Sequence, residues 1–241
     1  MTPDNAPLIE ITALSKNYHG LRPLRIEALT LAEGEQMAIL GLDRPMTETF
    51  INVVTGATLP DSGGVTIFGR RTSSIDDSDE WLAAVDRFGI VSERAVLLDA
   101  FSVIQNLSIP FTLQIEPPPD DVRERAAALA REVGLDETDW GRPVAELDAF
   151  GRLRVRVGRA LALDPKVLLL EHASAGLPPD AVRAIGSRIR RIVSRRACGL
   201  IAVTADPEFA AAVAPRVLTL QPATGRLNER RGGLLDRLFG P

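Results

Sequence analysis

A glycine that follows an apolar run opens the part of this sequence best suited to chemistry. Residues 37–56 predict a buried strand, a short polar loop beginning at Gly41, and a helix. That order is typical of a phosphate-binding loop, G-x-x-x-x-G-K-[ST], in which backbone N–H groups surround the phosphates, the lysine contacts the terminal phosphates and the hydroxyl holds Mg²⁺. Here Met46 replaces the second glycine, Thr47 the lysine and Glu48 the hydroxyl. The sequence therefore keeps the frame of such a loop and replaces its chemical groups.

These replacements weaken the affinity expected for a phosphate ligand. Loss of a charge-assisted lysine contact costs roughly 1.5–3 kcal/mol, and a carboxylate about 4 Å from a phosphate costs up to about 4 kcal/mol at an effective dielectric near 20. Since each 1.4 kcal/mol or so is about tenfold in affinity, a micromolar site would become millimolar or weaker. Arg44 returns some positive charge, whereas Pro45 removes one backbone N–H. An ordinary strand, turn and helix with no ligand remains the alternative.

Composition sets the broad class of the protein. The 241 residues are 45% hydrophobic and 25% charged, which is typical of a soluble globular protein with one large domain or a domain and a subdomain. A net charge of −4 argues against general nucleic-acid binding. Cys198 is the single cysteine, so no internal disulfide or cysteine metal site is expected. Without a membrane-length apolar run or a basic leader, we expect a cytoplasmic protein.

Strands and helices alternate along the chain. The segment from Arg94 to about Leu161 is helical in pattern, with three prolines at 117–119 interrupting it before the first-turn acids Asp120 and Asp121. This order indicates an α/β fold with a mostly parallel sheet and a helical insert. Strands are predicted at 8–14, 25–31, 36–40, 65–68, 88–92, 167–170, 199–204 and 215–220, and further helices at 78–87 and 179–196.

The order of these pieces, over roughly residues 8–220, resembles the ATP-binding cassette, the nucleotide-binding subunit of ABC transporters. Matching segments are Tyr18, at the position of the aromatic that stacks on adenine, then 59–63, 88–93, 103–107 and 159–170. The resemblance implies a P-loop NTPase-like core with a mostly parallel sheet, an antiparallel β subdomain and a helical insert at about 94–161. It implies one domain over 1–225, followed by a short amphipathic C-terminal tail at 226–241.

Positions that do chemistry in that family differ here. The signature L-S-G-G-Q appears as Leu147-Asp148-Ala149-Phe150-Gly151, whose side chains would obstruct the approach of a γ-phosphate to the helix N-terminus. Glu93 replaces the family's glutamine and Ala205 its switch histidine. Glu171 and His172 stand where the family has the metal-strand aspartate and the catalytic glutamate.

The resemblance assigns roles to particular side chains. Glu171 is the candidate metal ligand. His172 is a candidate general base, although we favour a surface or interface position for it because the lysine is missing. The nucleotide-site positions are Tyr18, Gly41, Arg44, Thr47 and Thr49, and the candidate contacts to a permease are Val96, Leu97, Leu98 and Phe101.

Three hypotheses follow for function. The first is a degenerate cassette subunit, without the phosphate-loop lysine, that binds ATP and Mg²⁺ weakly or not at all. It would dock on a membrane permease at the inner face of the cell membrane, as a homodimer or with another cassette, in a structural or regulatory role. The second is an active ATPase that energises transport with Arg44, Glu171 and His172 as substituted groups; residues 106–110 resemble cassettes for lipid transport. The third is a stand-alone binding protein with the same fold.

Overall fold

The computed structural model describes residues 6–229, which form two β-sheets and seven α-helices. The strands are β1 (Ile9–Lys16), β2 (Leu24–Leu31), β3 (Gln36–Leu40), β4 (Ser62–Ile67), β5 (Arg70–Arg71), β6 (Phe88–Val91), β7 (Val167–Glu171), β8 (Gly199–Val203), β9 (Arg216–Gln221) and β10 (Arg226–Glu229). The helices are α1 (Arg44–Val54), α2 (Ser78–Val85), α3 (Val103–Ser108), α4 (Asp120–Val133), α5 (Ala149–Leu161), α6 (Pro179–Arg195) and α7 (Pro207–Val213).

The larger sheet has the strand order β10-β9-β3-β8-β7-β6. Its strands from β9 to β6 are parallel, and β10 pairs antiparallel with β9 at one edge. The smaller sheet has the order β2-β1-β4-β5 and is antiparallel. A mostly parallel sheet, an antiparallel sheet and a helical insert are therefore all present, which confirms the predicted fold class.

Two hydrophobic cores lie on opposite faces of the parallel sheet. In β3, Met37 and Ile39 face α1 and the antiparallel sheet, whereas Ala38 and Leu40 face the core that includes the insert helices. The same alternation occurs in β7 and β8. Because both faces are covered, these strands are continuous apolar runs, which is the reason that they were recognisable in the sequence.

The helical insert is attached at β6, the edge strand of the parallel sheet. Its helix α4 begins at Asp120, directly after the three prolines, and ends at Gly134 in the left-handed conformation. The loop from 92 to 101 is held by the buried Asn106, whose amide donates to the carbonyls of Leu98 and Phe101 and accepts from the Leu98 N–H. This loop is therefore a fixed part of the fold.

Two sequence-based assignments need correction. Leu97 is only 3% exposed and packs in the core beneath the loop, so it cannot contact a permease, whereas Val96 is 71% and Leu98 37% exposed. Phe101 is half-buried. Residues 226–229 form β10 and not the start of a tail, because they pair with β9. The remaining predicted tail, 230–241, lies outside the described residues.

Other sequence-based assignments were incomplete or stay predictions. The sequence patterns missed β5 and α7 as well as β10. The single domain over 1–225 stays a prediction. None of the helices described between residues 6 and 229 is both long and apolar enough to cross a membrane.

Alanine substitution distinguishes the buried from the exposed side chains of the loop. Leu97→Ala should leave a cavity and lower the free energy of unfolding by about 2–5 kcal/mol. Val96→Ala, at an exposed neighbour, should change it by less than about 0.5 kcal/mol. Urea unfolding followed by circular dichroism measures both values, and equal effects would contradict the burial of Leu97.

Candidate functional site

Helix α1 begins at Arg44, only three residues after Gly41 and inside the segment matched to the phosphate loop. Asp43 is its N-cap, and the Asp43 carboxylate accepts a hydrogen bond from the Met46 N–H at 2.8 Å. The Thr47 N–H donates to the Asp43 carbonyl at 2.9 Å, and Pro45 has no N–H to offer. Backbone donors that would face a phosphate are therefore largely used within the helix itself.

Gly41 is explained by packing and needs no ligand. Its φ of +93° favours glycine. A Cβ at this position would lie 2.9 Å from the carbonyl oxygen of Leu220 in β9, which is too close. Gly41, by which the loop was recognised, therefore allows the chain directly after β3 to pack closely against β9.

Thr47 and His172, at the positions of the lysine and the catalytic glutamate, contact each other. The Thr47 side chain is buried, and its hydroxyl lies 2.7 Å from the Asp43 carbonyl oxygen. His172 Nε2 lies 3.0 Å from the same hydroxyl oxygen, and the tautomer of the ring sets which of the two groups donates. In either case Nε2 faces the Thr47 hydroxyl and is engaged by it in this arrangement.

Arg94 lies between two glutamates of the cleft. Its Nη1 donates to Glu48 at 2.6 Å and its Nη2 to Glu171 at 2.8 Å. The Glu171 side chain is 11% exposed, whereas those of Arg94 and Glu48 are about half exposed, at 45% and 50%. The candidate metal ligand, Glu171, is therefore already neutralised by an arginine.

A second ion pair joins Arg44 to Glu93 at 2.8 Å. Its hydrogen bond to Glu93 raises the pKa of the Arg44 guanidinium, so this cation is committed to a carboxylate. Both of these residues line an open cleft of about 350 Å³. The other residues that line it are Pro45, Glu48, Ser92, Arg94, Glu171 and His172. The lining of this cleft thus holds three carboxylates and two guanidinium groups.

The remaining candidate residues lie around the same helix start. Thr49 is exposed, and its hydroxyl donates to the Pro45 carbonyl at 2.9 Å. Tyr18 is half-buried and lines an adjoining open cleft of about 600 Å³ with Asp43 and Met46. Burial, and to a lesser extent the Asp43 charge, raises the pKa of the Tyr18 hydroxyl.

The structure thus places the predicted nucleotide-site residues around one helix start, with the polar side chains of Arg44, Thr47 and Thr49 hydrogen-bonded within the protein. In the described part of the chain, no group of three or more His, Cys, Asp or Glu side chains is positioned to hold a metal ion. In the cleft as arranged, the start of α1 is capped by Asp43, and both arginines are paired with carboxylates.

The N-terminus of helix α5, at the position of the family's signature, is also capped by an aspartate. Asp148 is its N-cap, and the carboxylate accepts from the Gly151 N–H at 2.7 Å. The Phe150 ring lies 3.8 Å from the guanidinium carbon of Arg154, which packs over it. The sequence analysis did not identify Asp43 and Asp148 as helix caps, and it gave Arg94 no role in the site. An aspartate directly before a predicted helix is a capping signal, and this signal could have identified Asp43 and Asp148 as caps.

Removing the Asp43 cap should affect stability. Asp43→Ala should lower the free energy of unfolding by about 1 kcal/mol, within a range of about 0.5–2 kcal/mol, because the Met46 N–H loses its acceptor. Asp43→Asn should retain most of the stability, since asparagine caps equally well. Urea denaturation measures the free energy of unfolding of both variants. If Asp43→Asn loses as much stability as Asp43→Ala, the charge of the side chain matters and the cap does not.

Comparisons with known proteins agree with this architecture. No family model matches the chain. The methionine import ATP-binding protein MetN of Brucella abortus is 28% identical over 216 residues, covering 90% of this chain and 58% of the relative. MetN of Mesorhizobium japonicum is 30% identical over 203 residues, covering 84% and 54%. The chain thus spans less than two thirds of the length of these relatives.

Solved structures give the same result for the fold. The ATP-binding cassette MJ0796, determined as a dimer with ADP and phosphate, superposes with a TM-score of 0.74 at 22% identity, covering 93% of this chain and all of that one. CbiO1 of Clostridium perfringens, part of the ABC transporter complex CbiONQ, gives 0.78 at 23% identity, covering 97% and 90%. The chain therefore has the fold of the ATP-binding cassettes of ABC transporters.

Proposed function

We propose that this chain is a cassette-type transporter subunit that docks on a membrane permease, hydrolyses ATP inefficiently or not at all, and acts structurally or as a regulator. The observation that carries this proposal is the Asp43 cap on α1, within the segment where a phosphate loop would present free N–H groups. The proposed location is cytoplasmic, at the inner face of the membrane through the partner.

Energetics support weak binding of nucleotide. A triphosphate in the cleft would have to displace the Asp43 cap, worth about 1 kcal/mol, and to compete with the carboxylates for Arg44 and Arg94. These costs add to the roughly 1.5–3 kcal/mol lost with the lysine contact. Because the signature helix α5 is also capped by its own aspartate, a homodimer would pair two altered halves, and an intact partner cassette would still meet an altered half at each site.

Docking on a permease is supported by an apolar groove at the edge strand β6. The groove has a volume of about 360 Å³ and lies beside the loop that exposes Val96 and Leu98. Exposed apolar surface next to a groove is typical of a protein interface. Its lining is mainly apolar, with two arginines: Phe88, Gly89, Ile90, Ala95, Ile109, Pro110, Arg156, Arg159, Ala160, Leu163 and Pro165.

The second candidate is an active ATPase that energises import. It is favoured by the relatives described above, which are named as methionine import ATP-binding proteins. In that case Arg44, Glu171 and His172 would have to take over the catalytic roles, after release from their present partners.

Phosphate release distinguishes the two candidates. At millimolar Mg-ATP the purified chain should release phosphate at the rate of a no-enzyme blank, and His172→Ala should not differ from it, because His172 Nε2 is tied to Thr47. A coupled phosphate assay, with an intact cassette ATPase as positive control, measures this rate. Release well above the blank that His172→Ala abolishes would establish the active candidate.

The docking surface is tested separately from hydrolysis. Tagged chain purified from solubilised membranes should carry a polytopic membrane protein in stoichiometric amount, identified by mass spectrometry. Val96→Asp should abolish this association, since it places a charge on the exposed apolar surface beside the groove. Leu113→Asp, at a side chain that is 97% exposed elsewhere in the insert, is the matched control and should retain it. Equal loss in both variants, or no such protein, would count against docking.

A further inference from the structure

Two glutamates stand at positions that the phosphate-loop pattern and the resemblance assign to magnesium ligands. Glu48 occupies the place of the loop hydroxyl, and Glu171 the place of the metal-strand aspartate. In the structure both carboxylates bind the same group, the guanidinium of Arg94, through its two terminal nitrogens at 2.6 and 2.8 Å. One arginine therefore bridges the two metal positions.

The guanidinium is oriented by its own loop. Arg94 Nε lies 3.4 Å from the Ser92 hydroxyl oxygen, which also accepts the Arg94 backbone N–H at 3.1 Å. Glu171, the less exposed of the two carboxylates, needs a counter-charge because burial disfavours an isolated anion. The planar guanidinium group of an arginine can donate to two carboxylates at once in fixed directions. The ammonium group of a lysine has less directional preference.

We propose that Arg94 is an internal substitute for a divalent cation, which makes the arrangement of this cleft independent of metal. The guanidinium joins α1 through Glu48 and β7 through Glu171 to the loop that begins the helical insert. The neighbouring groups are consistent with this role, since Arg44 is hydrogen-bonded to Glu93 and the His172 ring to Thr47, which leaves Arg94 as the cation hydrogen-bonded to Glu48 and Glu171.

Metal binding to the full-length chain without nucleotide tests the proposal. The wild type should not bind Mn²⁺ in the millimolar range by electron paramagnetic resonance, because a fixed cation already occupies the space between the carboxylates. Arg94→Gln should bind Mn²⁺ at least about tenfold more tightly than the millimolar limit at which the wild type shows no binding, and Arg94→Gln with Glu48→Gln should lose this gain. Arg123→Gln, which breaks the exposed Arg123–Asp120 pair on α4, is the matched control and should behave as wild type.

A measurement on the wild type alone keeps the proposal testable if Arg94→Gln does not fold. The melting temperature should be the same in MgCl₂ and in NaCl of equal ionic strength. Stabilisation specific to Mg²⁺, Mn²⁺ binding by the wild type that Glu171→Gln removes, or a folded Arg94→Gln without gained Mn²⁺ affinity would each overturn the proposal. None of these results depends on ATP hydrolysis or on a permease, so they are separable from failure of the proposed function.

Discussion

The backbone N–H groups at the start of a helix need acceptors, and a bound anion and a capping carboxylate compete for the same groups. In this chain the competition is settled within the fold, by Asp43 at α1 and Asp148 at α5. At each helix start a carboxylate of the chain accepts one of these N–H groups. Around α1 the neighbouring polar groups are likewise paired with one another.

The substituted positions form a matched set. Thr47 pairs with His172, Arg44 with Glu93, and Glu48 with Glu171 through Arg94. Each exposed ion pair contributes little by itself, about 0–1 kcal/mol. Restoring the lysine at position 47 would remove the partner of His172, and restoring the hydroxyl at position 48 would remove a partner of Arg94. The cleft is therefore coupled across three segments of the chain.

Sequence reasoning predicted eight of the ten described strands, the insert and the start of α4, because local patterns encode them: apolar runs, a proline break and first-turn acids. It missed α7, although Asp206 before Pro207 is a helix-start signal and the Asp206 carboxylate does cap that helix. The site was less predictable for a physical reason. Arg94 meets residues 46 and 77 positions away, and no local pattern specifies such contacts. The burial of Leu97 likewise depends on how the loop packs under Asn106.

The similarity of this chain to known cassettes lies in the strands and helices of its fold. The packing of these elements does not depend on the residues that would bind or hydrolyse nucleotide. The side chains that build the two cores come from strands and helices whose packing needs no nucleotide, as Gly41 illustrates by serving the β3–β9 contact. A TM-score of 0.74 to 0.78 at 22–23% identity is therefore compatible with either an active or an inactive cleft. What separates the two candidate functions is whether the polar groups of the cleft stay paired, as they are in this structure, or are released to bind nucleotide.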